Sequence, residues 1–192
     1  TLKAEIRKGL DHQIPIDEIK KIFNLILNQS ALSECPSLIV RLYLASCFSD
    51  ALYMYAPSIP LTTTGELDAV FQLFSTVLSS HYDEGSTESN IVQNIVEILN
   101  STDSYLLIRN REVSCEIIES MIKIRPISNA DSDQNFHNAV EFIGNLTNSI
   151  TSQLLLQEIL KLFAKNFNSS PLTQAVLPLL NQSNQVEIVN CF

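Results

Sequence analysis

The sequence contains no tryptophan and only four glycines among its 192 residues. No glycine-rich loop can therefore bring several backbone amides around a phosphate, and the motifs of nucleotide-binding loops are missing. Basic residues are also scarce, because 12 lysines and arginines stand against 21 acidic residues, a formal net charge of −9. This charge has the wrong sign for a surface that neutralises phosphates, so we expect no direct binding to nucleic acid or to an anionic membrane.

Long apolar runs and paired cysteines are missing as well. No segment approaches the roughly 18 uncharged apolar residues that a membrane-spanning helix requires, and the first residues do not resemble a signal peptide. A chain of this length buries enough surface to fold without disulfides. The cysteines are widely separated, with no C-x-x-C pair, at Cys35, Cys47, Cys115 and Cys191. We therefore expect free thiols and a reducing compartment.

Catalytic signatures are missing too. The three histidines, His12, His81 and His137, lie in different segments, and none has a partner at the spacing of metal ligands. Acidic pairs occur only in segments that are typical of solvated helix faces and polar loops. No nucleophile, base and orienting group come together in the sequence, so we predict a protein that is not an enzyme and that binds no cofactor and no metal.

What the sequence does have is helical periodicity over most of its length, with almost no strand-like alternation, which predicts an all-α fold. Pro15 and Pro36 should open the first two helices, and Thr64 should cap the third. The second helix carries apolar residues around most of its circumference, which predicts an interior helix. The predicted helices cover residues 16–27, 36–55, 65–80, 91–99, 113–124, 136–147, 154–167 and 172–180.

Short polar connections join these helices, as in antiparallel helix pairs. We therefore predict an α-solenoid of HEAT or armadillo-like antiparallel helix hairpins, although no clear internal sequence repeat is visible. The final residues, 186–192, are apolar up to the terminus, which favours one segment, residues 1–192, of a longer solenoid. A closed helical bundle is the alternative.

The segment that ends the second helix has unusual local features. Pro57 and Pro60 stop the helix and hold an extended stretch, because proline fixes its own φ and keeps the preceding residue out of the α region. We call residues 56–60 the shelf. Tyr53 and Tyr55 precede it and offer the flat amphipathic surfaces that are common in binding hot spots. An ordinary helix stop followed by a buried turn would give the same pattern.

This segment resembles the precocious-dissociation-of-sisters family of cohesin regulators, which are large HEAT-repeat proteins. The residues that carry the resemblance are Val40, Arg41, Ala45, Cys47, Phe48, Asp50, Tyr55, Ala56, Pro57, Pro60, Leu67, Val70 and Phe71. A weaker similarity continues over residues 104–108 and 115–118. The resemblance covers most of this chain and an amino-terminal part of a family member.

The resemblance implies that the shelf docks short peptide motifs of cohesin-linked partners, including cohesin subunits and the release factor Wapl, in the nucleus on chromosomes. The turn that docks peptides in this family corresponds by position to Ala56, Pro57, Ser58, Ile59 and Pro60 of this sequence. Ser58 stands where the family has an acidic residue, and Ile59 stands where it has a small one. Tyr53 and Tyr55 would add contact area, and Arg41 or Asp50 would hold polar ligand groups or bridge neighbouring helices. The alternative function is a helical-repeat scaffold of another pathway, such as a transport receptor or trafficking adaptor.

Overall fold

The computed structural model describes residues 15–28, 35–56, 59, 61, 63–83, 85–108, 110–124 and 133–180. Within these ranges the chain forms helices joined by short connections, which confirms the predicted all-α class. The α-helices are α1 (Ile16–Asn28), α2 (Leu38–Tyr55), α3 (Thr64–Leu78), α4 (Thr87–Ser101), α5 (Arg111–Ile122), α6 (Gln134–Ser149), α7 (Gln153–Asn166) and α8 (Pro171–Val176). Two short 3-10 helices cover Ser104–Leu107 and Leu177–Leu179.

Polar side chains set where most of these helices begin. In α3 the Thr63 hydroxyl accepts from the Glu66 amide at 3.2 Å, and the Glu66 carboxylate accepts from the Thr63 amide at 3.0 Å. This capping box satisfies two amides that have no partner within the helix. The prediction that Thr64 is the cap is therefore wrong by one residue. Side chains also cap α4 to α8, from Ser86, Asn110, Asp133, Ser152 and Ser170.

Alternate helices pack side by side and form two layers. One layer contains α2, α4, α6 and α8, and the other contains α3, α5 and α7. The most extensive contacts join α2 to α4, α3 to α5 and α4 to α6, so each hairpin packs mainly on its neighbours in the stack. This arrangement confirms the predicted helical-repeat solenoid and differs from the closed bundle that was the alternative.

Polar contacts between neighbouring hairpins recur at a regular sequence separation. The Ser120 hydroxyl donates to the Glu116 carbonyl at 2.7 Å, and the Ser75 hydroxyl lies 2.7 Å from the Ser120 hydroxyl and 3.1 Å from the same carbonyl, so α3 is joined to α5. Further contacts of this kind join Asn100 to Glu141, Asn110 to Asp68 and Ser170 to the Ile122 carbonyl. These contacts join residues 41 to 48 positions apart, whereas Asn148 donates to the Leu179 carbonyl 31 positions later. HEAT repeats have periods of about 40 to 47 residues, so the structure reveals a repeat that the sequence did not.

The core is one continuous apolar cluster that runs from Phe23 of α1 to Leu180 after the last 3-10 helix. Among the described residues Cys35, Cys47 and Cys115 form no disulfide, and Cys191 lies outside the described residues. The predicted interior position of α2 is only partly correct. Four of its apolar side chains are 40% to 53% exposed: Ile39, Val40, Tyr43 and Met54.

Candidate functional site

The carboxyl ends of α2 and α4 border a cleft of about 360 Å³, which we call the α2–α4 cleft. Both helices lie in the same layer and end at the same edge of the stack, since each is followed by a hairpin partner in the other layer. The lining residues are Leu52, Ala56, Ile59, Ser101, Thr102, Asp103, Ser104, Leu106 and Leu107. One wall is thus the end of α2 with Ala56 and Ile59, and the other is the turn that follows α4.

The described part of the shelf lies directly in this cleft. Ala56 is exposed, Ile59 is half-buried against the core, and Leu52 lies fully buried in α2 beside them. The remaining predicted shelf residues, Pro57, Ser58 and Pro60, lie outside the described residues. Ala56 and Ile59 therefore offer a small apolar wall to a ligand.

The opposite wall is held by a chain of hydroxyl groups. The Thr102 hydroxyl donates to the Ile98 carbonyl at 2.8 Å, so its proton is no longer available to its other neighbour. The fully buried Ser104 hydroxyl, 2.5 Å away, must then donate to Thr102. These bonds tie the 3-10 helix to the last turn of α4 and fix the conformation of Asp103 between them.

Asp103 itself has a φ of 50° and lies in the left-handed region. This conformation is unfavourable for residues other than glycine, and aspartate tolerates it better than most. Next to it, burial raises the pKa of Tyr105, and the charge of Asp103 and a hydrogen bond to its carboxylate raise it further. The Tyr105 ring contacts Phe142 of α6 edge-on, with centroids 6.3 Å apart. The turn after α4 is thereby anchored to the next repeat.

The other predicted site residues are distributed along α2. Tyr53 and Tyr55 are half-buried, and in the sequence they lie between the cleft residues Leu52 and Ala56. Tyr55 also packs against the core. Asp50 is exposed one turn earlier. Arg41 lies at the other end of the helix, about 22 Å from Ala56 by helical rise, where its Nε donates to the Cys35 carbonyl at 2.6 Å. The structure therefore does not bring Arg41 together with the shelf.

Sequence reasoning missed Asp103, Leu106 and Leu107 as parts of the site. Residues 101–104 were interpreted only as a polar connection between helices, and the 3-10 helix that follows has only four residues, too few to show an apolar periodicity. The available signal was the weak family similarity at residues 104–108. Leu106 is the notable omission, because its side chain is 58% exposed at the rim of the cleft.

A larger cleft of about 530 Å³ lies between α3, α4 and the end of α5. Its lining includes His81, Tyr82 and Lys123, but His81 and Lys123 are exposed at the surface. Within the described residues no group of histidine, cysteine and acidic side chains is arranged to hold a metal ion. Across the same residues, none of the helices combines the length and the apolar character that crossing a bilayer would need.

Replacing Tyr82 with phenylalanine should stabilise the protein most at alkaline pH, because the buried Tyr82 hydroxyl is costly to ionise in the folded state. Burial raises the pKa of Tyr82; the nearby Ser80 side chain opposes this rise and the Glu88 carboxylate adds to it. The unfolded state therefore loses the Tyr82 hydroxyl proton at a lower pH than the folded state does. The free energy of unfolding falls as the pH rises above about 10. Urea unfolding at pH 8 and pH 10.5 should show a shallower alkaline loss for Tyr82→Phe. Exposed Tyr43→Phe is the control, and an equal slope in all three proteins would contradict the prediction.

Residues 9–186 match the family model described as sister chromatid cohesion protein PDS5. Among curated proteins, none matches the chain significantly. The matched region includes both walls of the α2–α4 cleft and agrees with the resemblance seen around the shelf. This family consists of chromosome-associated helical scaffolds and is not a known enzyme family. The chain therefore belongs to the PDS5 family of sister chromatid cohesion proteins, and this membership indicates a cohesion-associated regulator.

Proposed function

We propose that this protein is a non-enzymatic docking scaffold that binds short peptide motifs of cohesin-linked partners, such as Wapl, in the α2–α4 cleft. It would act in the nucleus, on chromosomes. The observation that carries the proposal is the cleft itself, which joins the predicted shelf to the turn after α4. The shelf resemblance and the family membership supply the class of partner.

The shape and chemistry of the cleft suit a short extended segment. Apolar surface from Ala56, Ile59 and Leu107 would cover one or two side chains, and the volume of about 360 Å³ matches that size of ligand. The hydroxyl chain of the turn and the packing of Tyr105 on Phe142 hold one wall in place before binding. A preorganised wall reduces the conformational entropy lost on binding.

Replacing Leu106 with alanine should weaken binding of a Wapl fragment about fivefold to tenfold. Leu106 is 58% exposed at the rim, so the protein can lose its side chain with little effect on the fold, while a docked peptide would bury it. The measurement is fluorescence anisotropy of a labelled Wapl fragment titrated with each protein.

Leu154→Ala is the matched control, because Leu154 is 68% exposed on α7 in the opposite layer. It should bind the fragment like the unmodified protein. If Leu106→Ala also binds normally, the cleft is not the docking site. If the fragment binds neither the unmodified protein nor the control, the Wapl assignment is wrong. Binding of a partner unrelated to cohesin in its place would make a scaffold of another pathway the better interpretation.

A further inference from the structure

The cleft of about 530 Å³ between α3, α4 and the end of α5 contains two carboxamide side chains, and we call it the carboxamide cleft. Gln93 of α4 and Asn135 at the start of α6 both line it and are half-buried. Asn135 Oδ1 is buried without a hydrogen-bond partner, and the Gln93 carboxamide has none within the described residues. Polar groups that are removed from water are normally paired, so these two carboxamides indicate a ligand that pairs with them.

Gln93 and Asn135 occupy equivalent positions of successive repeats. The separation from residue 93 to residue 135 falls within the 41 to 48 positions that the contacts between hairpins span. About two turns later on the same helices, Asn100 donates to Glu141 at 2.8 Å, so α4 and α6 lie in register here. Packed helices lie roughly 8 to 10 Å apart, which is about three residues of an extended chain. The two carboxamides are therefore spaced to pair with main-chain groups of one extended peptide.

The charge of the described lining has the opposite sign to that of the chain. Lys123 and His81 line the carboxamide cleft, and its described lining includes no acidic residue, although the chain has a net charge of −9. Two acidic residues nearby, Glu88 and Asp133, lie at the N-termini of α4 and α6, where the positive helix ends offset their charge. Lys123 has no ion-pair partner within the described residues. The cleft therefore favours a ligand with a carboxylate.

We propose that the carboxamide cleft is a second peptide-binding site, which takes an extended segment that carries an aspartate or a glutamate. Gln93 and Asn135 pair with main-chain groups of the segment, and Lys123 pairs with its carboxylate. Turning the Asn135 amide toward the ligand breaks no hydrogen bond of Oδ1, because that atom has none. The half-buried Val92 and Ile124 cover an adjoining apolar side chain.

The test is selection from a displayed library of random dodecapeptides by the immobilised full chain that carries Leu106→Ala, which disfavours peptides held in the α2–α4 cleft. The selection should enrich peptides with aspartate or glutamate. Fluorescence anisotropy then measures the affinity of an enriched peptide for variants of the chain. Gln93→Ala, Asn135→Ala and Lys123→Gln should each bind it about three- to tenfold more weakly.

Matched controls are available on the same layer and on the opposite one. Asn145 is exposed on α6 and Lys161 is exposed on α7, so Asn145→Ala and Lys161→Gln remove the same chemical groups away from the cleft. Both should bind like the unmodified protein. Gln93→Ala and Asn135→Ala should unfold at the same temperature as the unmodified protein or at a higher one, because no hydrogen bond is lost and alanine favours helix.

Main-chain pairing is tested by methylating the amide nitrogens of the enriched peptide one at a time. At least one methylation should weaken binding to the unmodified protein and lose its effect in Gln93→Ala or Asn135→Ala. Enrichment of basic or purely apolar peptides, no enrichment, or unchanged binding by both alanine variants would overturn the proposal. A methylation effect that persists in both variants would also overturn it. Because these measurements do not use Wapl, their failure leaves the function proposed for the α2–α4 cleft unaffected.

Discussion

Phe142→Ala should lower the free energy of unfolding by about 3 to 5 kcal/mol and also weaken peptide binding in the α2–α4 cleft. Phe142 is fully buried in α6, so its removal leaves a cavity in a close-packed core. Its ring also contacts Tyr105, which lies in the sequence between Ser104 and Leu106, two residues of the cleft wall. Urea unfolding measures the first effect, and anisotropy at low temperature, where the variant stays folded, measures the second.

Phe163→Ala provides the comparison for this variant. Phe163 is 1% exposed on α7, in the opposite layer, so its loss should destabilise the chain by a similar amount. Peptide binding by the folded protein should then stay unchanged. Equal binding by the two variants would mean that the contact between Tyr105 and Phe142 does not hold the wall of the cleft.

The second large effect concerns the junction of α1 and α2. Phe48 is 1% exposed, and its ring centroid lies 4.6 Å from that of Phe23 at an angle of 49°. Phe48→Ala should cost about 3 to 5 kcal/mol of stability, because it removes buried volume and the aromatic pair together. Urea unfolding of the single variant checks this value.

A double-mutant cycle tests the pair itself. Phe23→Ala and the double variant should show a coupling energy of about 0.5 to 1.5 kcal/mol beyond the sum of the single effects. Tyr43→Ala is the control, since Tyr43 is half exposed on the same helix as Phe48 and should not couple to Phe23. Additive behaviour of Phe23 and Phe48 would contradict the packing of α1 on α2.

The sequence predicted the order of the helices in the described residues well, because apolar periodicity follows directly from burial on one face. It predicted their first residues less well, because polar caps such as Thr63 and Ser86 begin the helices before the first apolar residue. It also could not reveal the exposed side of α2. Apolar residues around a helix predict neighbours on all sides, but Ile39 and Tyr43 are about half exposed in the described structure.

For the site, the sequence located one wall and missed the other. The shelf residues Ala56 and Ile59 stood out through the neighbouring prolines and the family resemblance. Asp103 and Leu106 come from the next repeat, about 45 residues later, and only the stacking of α4 on α2 places them opposite the shelf. A surface built from two repeats cannot be recognised from the local pattern of either one.

The contacts between successive hairpins have a mechanical consequence. Each hairpin contacts mainly the hairpin before it and the hairpin after it. A force applied along the stack would therefore be transmitted from one hairpin to the next. A peptide bound in the α2–α4 cleft would contact both the α2–α3 hairpin and the α4–α5 hairpin, so it would stiffen the junction between them and leave the junctions of the later hairpins unchanged.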